Sequence, residues 1–504
     1  MIFIKKMYSL GQNTVKLLSS VFLIFLASTS LTTHIYDRNW QEFYVVDFTL
    51  LYNLAAVALF GVIYSLCIRH IEKHPKTKRK WMNIYLMIML MLYVGVFLMF
   101  QVPLWDQLDI YNAVQKLNAG DLSFFNELYF QMWQHTVPQV VFQSLFGSNY
   151  MAFYIYNGVL YFVTFIILMK MFNYSKHLAV LYILFTPLVG YTCFYYGEIT
   201  MIFGMIVSFY LLTEIYYGRE KWWHFIVLPL LTFIVFFEKM NFIIFVIAEV
   251  LTLLLFFIKK HNLKLLLCIL LLVSSAAAVK PFTNYLIKDV YQQEVKDFGY
   301  TPWIAMGMQA PGEIDDLPST LEGGYNGYNS LLMSTYVNKE EKVKEIATAE
   351  IKEHIDLFIN DPAYAASFYY NKVAKQWCTS DWSTTHMLKL ASFKTLNTIL
   401  EENSIMREDG YYNKVDIVQD LFLKGLLILV YLVSLYNIVR AKHLSFSETL
   451  LYVFFIGNFL FSILWEAKPR YCMFGFFALL IAAVPQIELW WEKLSRKIEY
   501  LWSS

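Results

Sequence analysis

Three short segments of this 504-residue chain combine ionisable side chains with aromatic neighbours in patterns that could do chemistry. The candidate residues are Asp106 and Gln107 in PLWDQ, Glu198 in YYGE, and Glu466, Lys468 and Arg470 in WEAKPRY. A carboxylate can take a proton from a reacting hydroxyl group. A guanidinium can hold a phosphate or pyrophosphate through two hydrogen bonds. The three segments therefore predict acid–base chemistry beside a phosphate group.

Each of these charged residues also has a purely structural interpretation. A short turn between membrane helices needs polar residues, and an arginine can simply extend to the membrane interface. Glu238 and Lys239, adjacent in FFEKMN, could neutralise one another, and the isolated His135 is interpreted as a structural histidine. Asp106 and Glu198 are favoured as functional because aromatic residues suited to hold a sugar ring precede both of them.

The composition indicates the kind of protein that must position these residues. Hydrophobic residues make up 58% of the chain and charged residues only 16%, whereas soluble proteins carry about 25% charged residues. The sequence therefore predicts an all-α polytopic membrane protein. A net charge of +1 argues against nucleic acid as a partner. The five cysteines show no CxxC spacing, so neither a disulfide framework nor a zinc site is indicated.

Hydropathy predicts about twelve membrane-spanning helices, each needing about 20 apolar residues. They are expected near residues 15–33, 47–67, 82–102, 150–171, 177–195, 197–216, 223–237, 241–258, 264–280, 420–439, 448–465 and 471–488. The first stretch follows basic residues as a signal peptide would. It is long enough to span a membrane and lacks a clear cleavage site, so we interpret it as a retained helix.

The distribution of lysine and arginine predicts the orientation of the chain. With the N-terminus inside, the loops on the cytoplasmic side carry the basic residues near 69–80, 170–176, 219–221, 259–264, 440–442 and 493–497. This arrangement obeys the positive-inside rule. We expect a multi-pass protein of the cell membrane with both termini in the cytoplasm and the candidate site on the extracytoplasmic face.

This topology leaves two long segments outside and suggests three regions. Residues 1–280 form a transmembrane domain whose loop at 103–149 contains an interfacial helix, residues 281–419 an extracytoplasmic domain, and residues 420–504 the last transmembrane helices and a cytoplasmic tail. The interfacial helix is predicted from Leu108, Tyr111, Val114 and Leu117 at helical spacing. In the large loop, a Gly/Pro-rich stretch at 301–329 should be irregular. An amphipathic helix should follow and end at Asp361 and Pro362, before a second helix at 363–377.

The arrangement resembles the GT-C class of membrane glycosyltransferases, which use a polyprenyl-phosphate-linked sugar as donor. The resemblance rests on Asp106 in an early outer loop, the acidic turn at Glu198, and WEAKPRY, which is similar to the E-x-(K/R)-P-R-Y turn of bacterial members. The large loop adds MGMQ and GGYN, the latter containing Tyr325. These short motifs cover the chain from about residue 82 onward and suggest the mannosyltransferase- and arabinosyltransferase-like superfamily.

The resemblance implies a role for each candidate residue. Asp106 would take the proton from the acceptor hydroxyl, and Arg470, with Lys468, would stabilise the departing lipid phosphate. Gln107, Glu198, Glu466 and Tyr325 would bind substrate. No cofactor is expected, and no divalent metal is predicted, although acidic residues could hold one. The implied partners are the polyprenyl-phosphate-linked sugar, a glycan or glycolipid acceptor, and membrane lipids.

One departure from the family leaves a second candidate for the acid–base residue. Members of the class usually carry the acidic loop directly after their first span, whereas two predicted spans precede Asp106. The matching residue could instead be Asp37, in HIYDRNW. Two other functions also remain open, namely a polymerase or ligase of lipid-linked oligosaccharides and a transporter or flippase. Arg407 is the single arginine of the predicted large loop, which disfavours the polymerase or ligase.

Overall fold

The computed structural model describes residues 2–37, 43–47, 49–99, 106–123, 134–147, 150–294, 297–312, 320–384 and 414–503. These residues are mainly helical. The first group of helices is α1 (Ile2–Thr32), α2 (Leu50–Lys73), α3 (Lys78–Met99), α4 (Asp106–Asn118), α5 (Thr136–Phe146), α6 (Met151–Met171), α7 (Lys176–Leu184), α8 (Pro187–Tyr191), α9 (Glu198–Tyr216) and α10 (His224–Glu238). The second group is α11 (Ile243–Lys260), α12 (Leu263–Tyr285), α13 (Thr301–Met306), α14 (Tyr328–Thr335), α15 (Glu340–Asn360), α16 (Pro362–Trp377), α17 (Lys414–Arg440), α18 (Phe446–Leu464) and α19 (Pro469–Ser503).

Ten helices in the described part of the chain are long and apolar enough to cross a membrane. They are α1, α2, α3, α6, α9, α11, α12, α17, α18 and α19. Each coincides with a predicted span, so the multi-pass membrane architecture is confirmed. The other two predicted spans are shorter helices: α10 has 15 residues, and the segment 177–195 is divided between α7 and α8.

Proline and glycine explain why the segment 177–195 is not one helix. Pro187 occupies the first turn of α8, where its missing N–H group is tolerated, whereas inside a continuous helix it would break a hydrogen bond. Gly197 then adopts a left-handed conformation with φ of +83°, immediately before α9 begins at Glu198. The motif YYGE is therefore a turn that places Glu198 at a helix N-terminus.

Close helix packing holds the transmembrane bundle together. α17 packs against α1 and α2, and α18 packs against α11 and α19. Gly425 of α17 lies so close to α2 that an added Cβ atom would stand 2.2 Å from the carbonyl oxygen of Ala56. Small residues at such contacts let membrane helices approach each other closely.

A short β-hairpin accompanies the helices of this mainly helical chain. Strand β1 (Thr33–Asp37) pairs antiparallel with β2 (Phe43–Asp47), in a register that places Thr33 opposite Asp47. β-branched and aromatic residues favour this pairing, and the rings of Tyr36 and Tyr44 stack across it at 5.6 Å. The hairpin begins at the end of α1 and carries Asp37.

The predicted helix at the start of the first outer segment is confirmed as α4, but its buried face differs from the predicted one. Gln107, Ile110, Ala113 and Val114 are buried, whereas Leu108 is 38% exposed. Of the four positions that defined the predicted apolar face, only Val114 is buried. The buried face of α4 also includes a polar residue, Gln107. Residues 101–105, including Trp105, lie outside the described residues.

The two helices predicted in the large loop are confirmed as α15 and α16, and Asp361 caps α16 through its side chain. The stretch at 301–329 is less irregular than expected because it contains α13 and the start of α14. A second hydrophobic core joins α13, α14 and α15 to α4, α10 and α12, through residues that include Ala113, Phe237 and Val279. The described part of the loop is thus packed against the membrane-spanning helices.

Candidate functional site

Arg470 joins two carboxylates that are far apart in the sequence. Its Nη2 atom lies 3.4 Å from Oδ2 of Asp106, and its Nε atom lies 3.8 Å from Oε1 of Glu198. The three segments identified from the sequence therefore meet. We call Asp106, Glu198, Arg470 and Lys239, whose contacts are described below, the charged cluster.

Helix N-termini converge on the charged cluster. Asp106 is the first residue of α4, Glu198 is the first residue of α9, and Arg470 is the second residue of α19. The partial positive charge at a helix N-terminus stabilises a nearby anion. The two carboxylates occupy favourable positions as a result, and the same field would favour a bound phosphate.

Lys239, in the turn that follows α10, supplies the second cation. Its Nζ atom lies 3.1 Å from Oε1 of Glu198 and donates to the backbone oxygen of Tyr196 at 2.6 Å. Burial lowers the pKa of Lys239 to about 8, although Glu198 opposes this shift. The lysine therefore changes charge in a range close to neutral pH.

The neighbouring charges of the FFEKMN turn are not paired with each other by hydrogen bonds. Glu238 accepts hydrogen bonds from Thr200 at 2.7 Å, Tyr156 at 2.9 Å and Tyr195 at 3.2 Å. Lys239 contacts Glu198 instead. The sequence interpretation in which the two neutralise one another overlooked that adjacent residues in a turn can point to different partners.

The ring of Tyr196 forms one wall of the charged cluster. The Lys239 ammonium group lies 4.1 Å and the Arg470 guanidinium 4.7 Å from the ring centre, distances that allow cation–π attraction. His135 stacks on the same ring at 5.1 Å, and burial lowers its pKa well below the usual value. A neutral His135 adds no third positive charge.

Glycine is required at position 197 by both conformation and space. A Cβ atom there would lie 3.0 Å from Cδ of Lys239 and 3.2 Å from Cε1 of His135. The positive φ angle is also unfavourable for other residues. Gly197 thus lets the lysine stem and the imidazole ring approach the YYGE turn.

The two carboxylates of the charged cluster differ in accessibility. The side chain of Glu198 is fully buried, whereas that of Asp106 is 33% exposed. Oε2 of Glu198 and Nε of Arg470 are buried and make no hydrogen bond in the described structure. Buried polar atoms usually have partners, so Oε2 of Glu198 is suited to accept from a donor on a ligand and Nε of Arg470 to donate to an acceptor.

Glu466 and Lys468, on the same turn as Arg470, form a second group with Tyr325 of the large loop. The Lys468 ammonium lies 2.7 Å from Oε1 of Glu466 and 5.0 Å from the ring centre of Tyr325. Burial opposes the charge on Lys468, but Glu466 and other neighbours hold its pKa above the usual value. Lys468 therefore stays positively charged.

Backbone contacts bring Tyr325 to this position. The N–H group of Ala467 donates to the carbonyl oxygen of Gly323 at 2.7 Å, and Gly324 pairs with Ala467 as a β-bridge. A Cβ atom on Gly323, whose φ is +63°, would lie 2.3 Å from the carbonyl oxygen of Gly307. The glycines of MGMQ and GGYN therefore allow the large loop to dock on the WEAKPRY turn.

Lys372 of α16 was not identified from the sequence. Its side chain is fully buried, and Nζ donates to the backbone oxygen atoms of Gly307 and Ile463, the latter at 2.9 Å. Burial lowers its pKa to about 7. Lys372 ties the large loop to the end of α18.

Gln107 is placed as a connection between α4 and the YYGE turn. Its Oε1 atom accepts a hydrogen bond from the backbone N–H group of Tyr195 at 3.0 Å, and the side chain is buried. In this structure Gln107 therefore bonds the turn that carries Glu198.

Asp37, the alternative acid–base candidate, lies in another polar cluster. It accepts a hydrogen bond from the Ser383 hydroxyl at 3.0 Å, and nearby His34 lies 3.1 Å from Asp420. Tyr191 donates to the backbone oxygen of Trp382 at 2.7 Å, next to Ser383. Asp37 is thus held by the segment that follows α16, whereas Asp106 contacts Arg470.

Among the described residues, no three His, Cys, Asp or Glu side chains are grouped as metal ligands would be. The sequence predicted which acidic and basic segments deserved attention, but it undervalued Lys239 and gave no indication of Lys372. Comparisons of the chain with protein-family models, curated proteins and solved structures found no match.

Proposed function

We propose that this protein is an integral membrane glycosyltransferase that moves a sugar from a polyprenyl-phosphate donor to a cell-envelope glycan or lipid acceptor. The proposal includes membership of the GT-C class, which its motifs resemble. The distribution of basic residues among the loops would place the charged cluster on the extracytoplasmic face.

The observation that carries the proposal is the combination of free donor and free acceptor in the charged cluster. Within the described part of the chain, the Nε–H group of Arg470 and the Oε2 atom of Glu198 are buried and make no hydrogen bond. A sugar phosphate offers both complements, because its phosphate oxygens accept hydrogen bonds and its hydroxyl groups donate them. An inorganic anion alone would leave the Glu198 oxygen without a partner.

The exposure of the two carboxylates supports different roles for them. Asp106 is partly exposed, so its carboxylate can take the proton as the acceptor oxygen attacks the anomeric carbon. The bond from that carbon to the lipid phosphate then breaks, and its electrons leave with the phosphate. Glu198 is fully buried against two cations and is better suited to position them and to accept a hydroxyl group on its inner side.

Arg470 and Lys239 would stabilise the charge that develops on the leaving phosphate. Both are held in place before substrate binds, and preorganised charge is the most effective kind of transition-state stabilisation. Lys468, with Glu466 and Tyr325, lies on the same turn as Arg470 and would contact the sugar or the acceptor. Inversion at the anomeric carbon is the expected outcome of this single displacement.

Asp106→Asn and Arg470→Ala variants test the proposal in transfer assays with defined polyprenyl-phosphate sugars. We expect the asparagine variant to lose about 100-fold or more in rate, because an amide cannot accept the proton. Loss of the guanidinium should cost about 100- to 1,000-fold. Folding of each variant would be checked by its melting temperature in detergent.

Two matched variants serve as controls. Asp109→Asn changes an exposed carboxylate on the same helix, and Arg496→Ala changes an exposed arginine of α19. Both should transfer at the wild-type rate. Wild-type rates in folded Asp106→Asn and Arg470→Ala variants would contradict the assignment. Movement of lipid-linked sugar across sealed vesicles without a covalent product would favour the transporter instead.

A further inference from the structure

A row of neutral polar side chains runs between α4 and α5, away from the charged cluster. It consists of Gln139 and Gln143 on α5 and Gln115 and Asn118 on α4, and we call it the amide row. Its inner end adjoins His135, one turn before Gln139 on α5, and His135 stacks on Tyr196 of the charged cluster wall. The row and the candidate site are therefore continuous.

At the outer end of the amide row, only the oxygen of the Gln143 amide makes hydrogen bonds. Oε1 of Gln143 accepts hydrogen bonds from Gln115 at 3.1 Å and from Asn118 at 3.2 Å. Among the described residues, the Nε2 group of the same glutamine is buried without a hydrogen-bond partner. Gln143 thus presents two free N–H donors.

At the inner end of the row, the amide of Gln139 has fewer hydrogen bonds than that of Gln143. Gln139 has no exposed surface, and neither its oxygen nor its nitrogen makes a hydrogen bond of normal geometry. Its amide lies near the Tyr195 hydroxyl, which itself contacts Glu238 and the backbone oxygen of His135. Nδ1 of His135 is also buried without a partner. An unpaired buried polar group is destabilising, so such a row needs an explanation.

The amide row is linear and runs from a fully buried end to an exposed end. His135, Gln139 and Gln143 are spaced four residues apart, so they lie along one side of α5 over about 12 Å. The row begins beside the charged cluster at full burial and reaches partly exposed Gln115 and exposed Asn118. A ligand could therefore extend from the surface toward Asp106.

The chemistry of the row selects an uncharged, hydroxyl-rich ligand. An amide offers both donors and acceptors, which match the hydroxyl groups of a sugar. The row itself carries no charge, so it offers a phosphate no electrostatic attraction. Amides between membrane helices can also serve as interhelical hydrogen-bond partners, but among the described residues the Gln139 amide has only the nearby Tyr195 hydroxyl and makes no bond of normal geometry with it.

We infer that the amide row binds the neutral glycan portion of the acceptor and directs its reacting hydroxyl group toward Asp106. The identity of this ligand as the acceptor rests on the proposed function, whereas the binding of a neutral sugar does not. The donor phosphate would bind separately, at Arg470 and Lys239.

Gln139→Leu separates a ligand-binding amide from a structural one. Leucine has a similar size and removes a buried amide that makes no hydrogen bond of normal geometry, so the melting temperature in detergent should stay the same or rise. The matched control is Gln376→Leu. Gln376 is equally buried, but it donates to Lys372 and Ser462 and accepts from the N–H group of Lys468. Its replacement should lower the melting temperature clearly.

Binding is then measured by thermal shift with neutral disaccharides and methyl glycosides, and with sodium phosphate as the anionic probe. A neutral sugar should stabilise the wild type and not Gln139→Leu, whereas phosphate should affect both proteins equally. The inference is overturned if Gln139→Leu melts as low as Gln376→Leu, if sugars stabilise both proteins equally, or if no sugar stabilises the wild type. In those cases the losses expected for Asp106→Asn and Arg470→Ala would still decide the proposed function.

Discussion

Glu198 is the carboxylate that contacts both cations of the charged cluster. Its Oε1 atom lies near both Arg470 and Lys239, and its side chain is fully buried. Removing one partner from a buried ion pair leaves an uncompensated charge and is strongly destabilising. At the residue scale, therefore, the site is a balance of two carboxylates and two cations.

The pKa of Lys239, lowered to about 8, gives a prediction for the pH dependence of transfer. Below about pH 8 the ammonium is charged and can help to hold the donor phosphate, and above it the charge is lost. Transfer should therefore decline on the alkaline side near pH 8. Lys239→Arg should shift this decline to higher pH, because a guanidinium remains charged.

Lys468→Arg is the control for this pH profile. The pKa of Lys468 is already raised, so its replacement should leave the alkaline decline in place. A Lys239→Arg profile identical to that of the wild type would show that Lys239 does not govern the decline.

At the scale of elements, the site depends on how a loop docks on a turn. The turn WEAKPRY carries Glu466, Lys468 and Arg470, and the motif GGYN brings Tyr325 against it through the bond between Ala467 and Gly323. Lys372 reinforces this docking from α16. Elements separated by more than a hundred residues thus form one side of the site.

Gly323→Ala tests whether the docking matters for function. The new Cβ atom would overlap the carbonyl oxygen of Gly307, at 2.3 Å, so the backbone at Gly323, which accepts the hydrogen bond from Ala467 of the WEAKPRY turn, must shift. We expect a lower melting temperature in detergent and slower transfer.

The control is Gly327→Ala, which introduces similar backbone strain to Gly323→Ala. Gly327 also has a positive φ angle, of +80°, but no atom lies within 4 Å of its added Cβ position. Its replacement carries only the conformational cost, about 1–2 kcal/mol. Equal effects of the two variants would indicate strain alone and argue against a role for docking.

At the scale of the whole molecule, ten apolar helices form the scaffold and the charged cluster lies where several of them begin. Charged groups at helix ends need not cross the hydrocarbon interior, which makes them cheaper than charges at the bilayer centre. This placement suits a reaction at the membrane surface with a lipid-linked substrate.

Single-cysteine labelling tests the expected sidedness. A membrane-impermeant maleimide should label Asn338→Cys, between α14 and α15, on intact cells, whereas Lys76→Cys, between α2 and α3, should react only after permeabilisation. Both positions are exposed. The partly buried Cys67 should be replaced by alanine to remove its background. The reverse labelling pattern would place the charged cluster on the cytoplasmic face.

The sequence by itself determined the membrane class, most of the spans, and the segments that carry the candidate site. These follow from local properties. A run of about 20 apolar residues predicts a membrane span, and an ionisable residue beside such a run is a functional candidate. The break between α7 and α8 was not predicted by hydropathy, because hydropathy measures apolar composition and not the effect of Pro187 on backbone hydrogen bonding.

Only the tertiary structure decided which charges meet. The sequence left open whether Glu238 and Lys239 neutralise one another, and in the structure Lys239 contacts Glu198. Asp37 bonds Ser383, and Gln139 is buried beside Tyr195. Such contacts depend on the relative rotation and depth of helices distant in the sequence. Helix packing fixes these quantities, and no local pattern of residues encodes them.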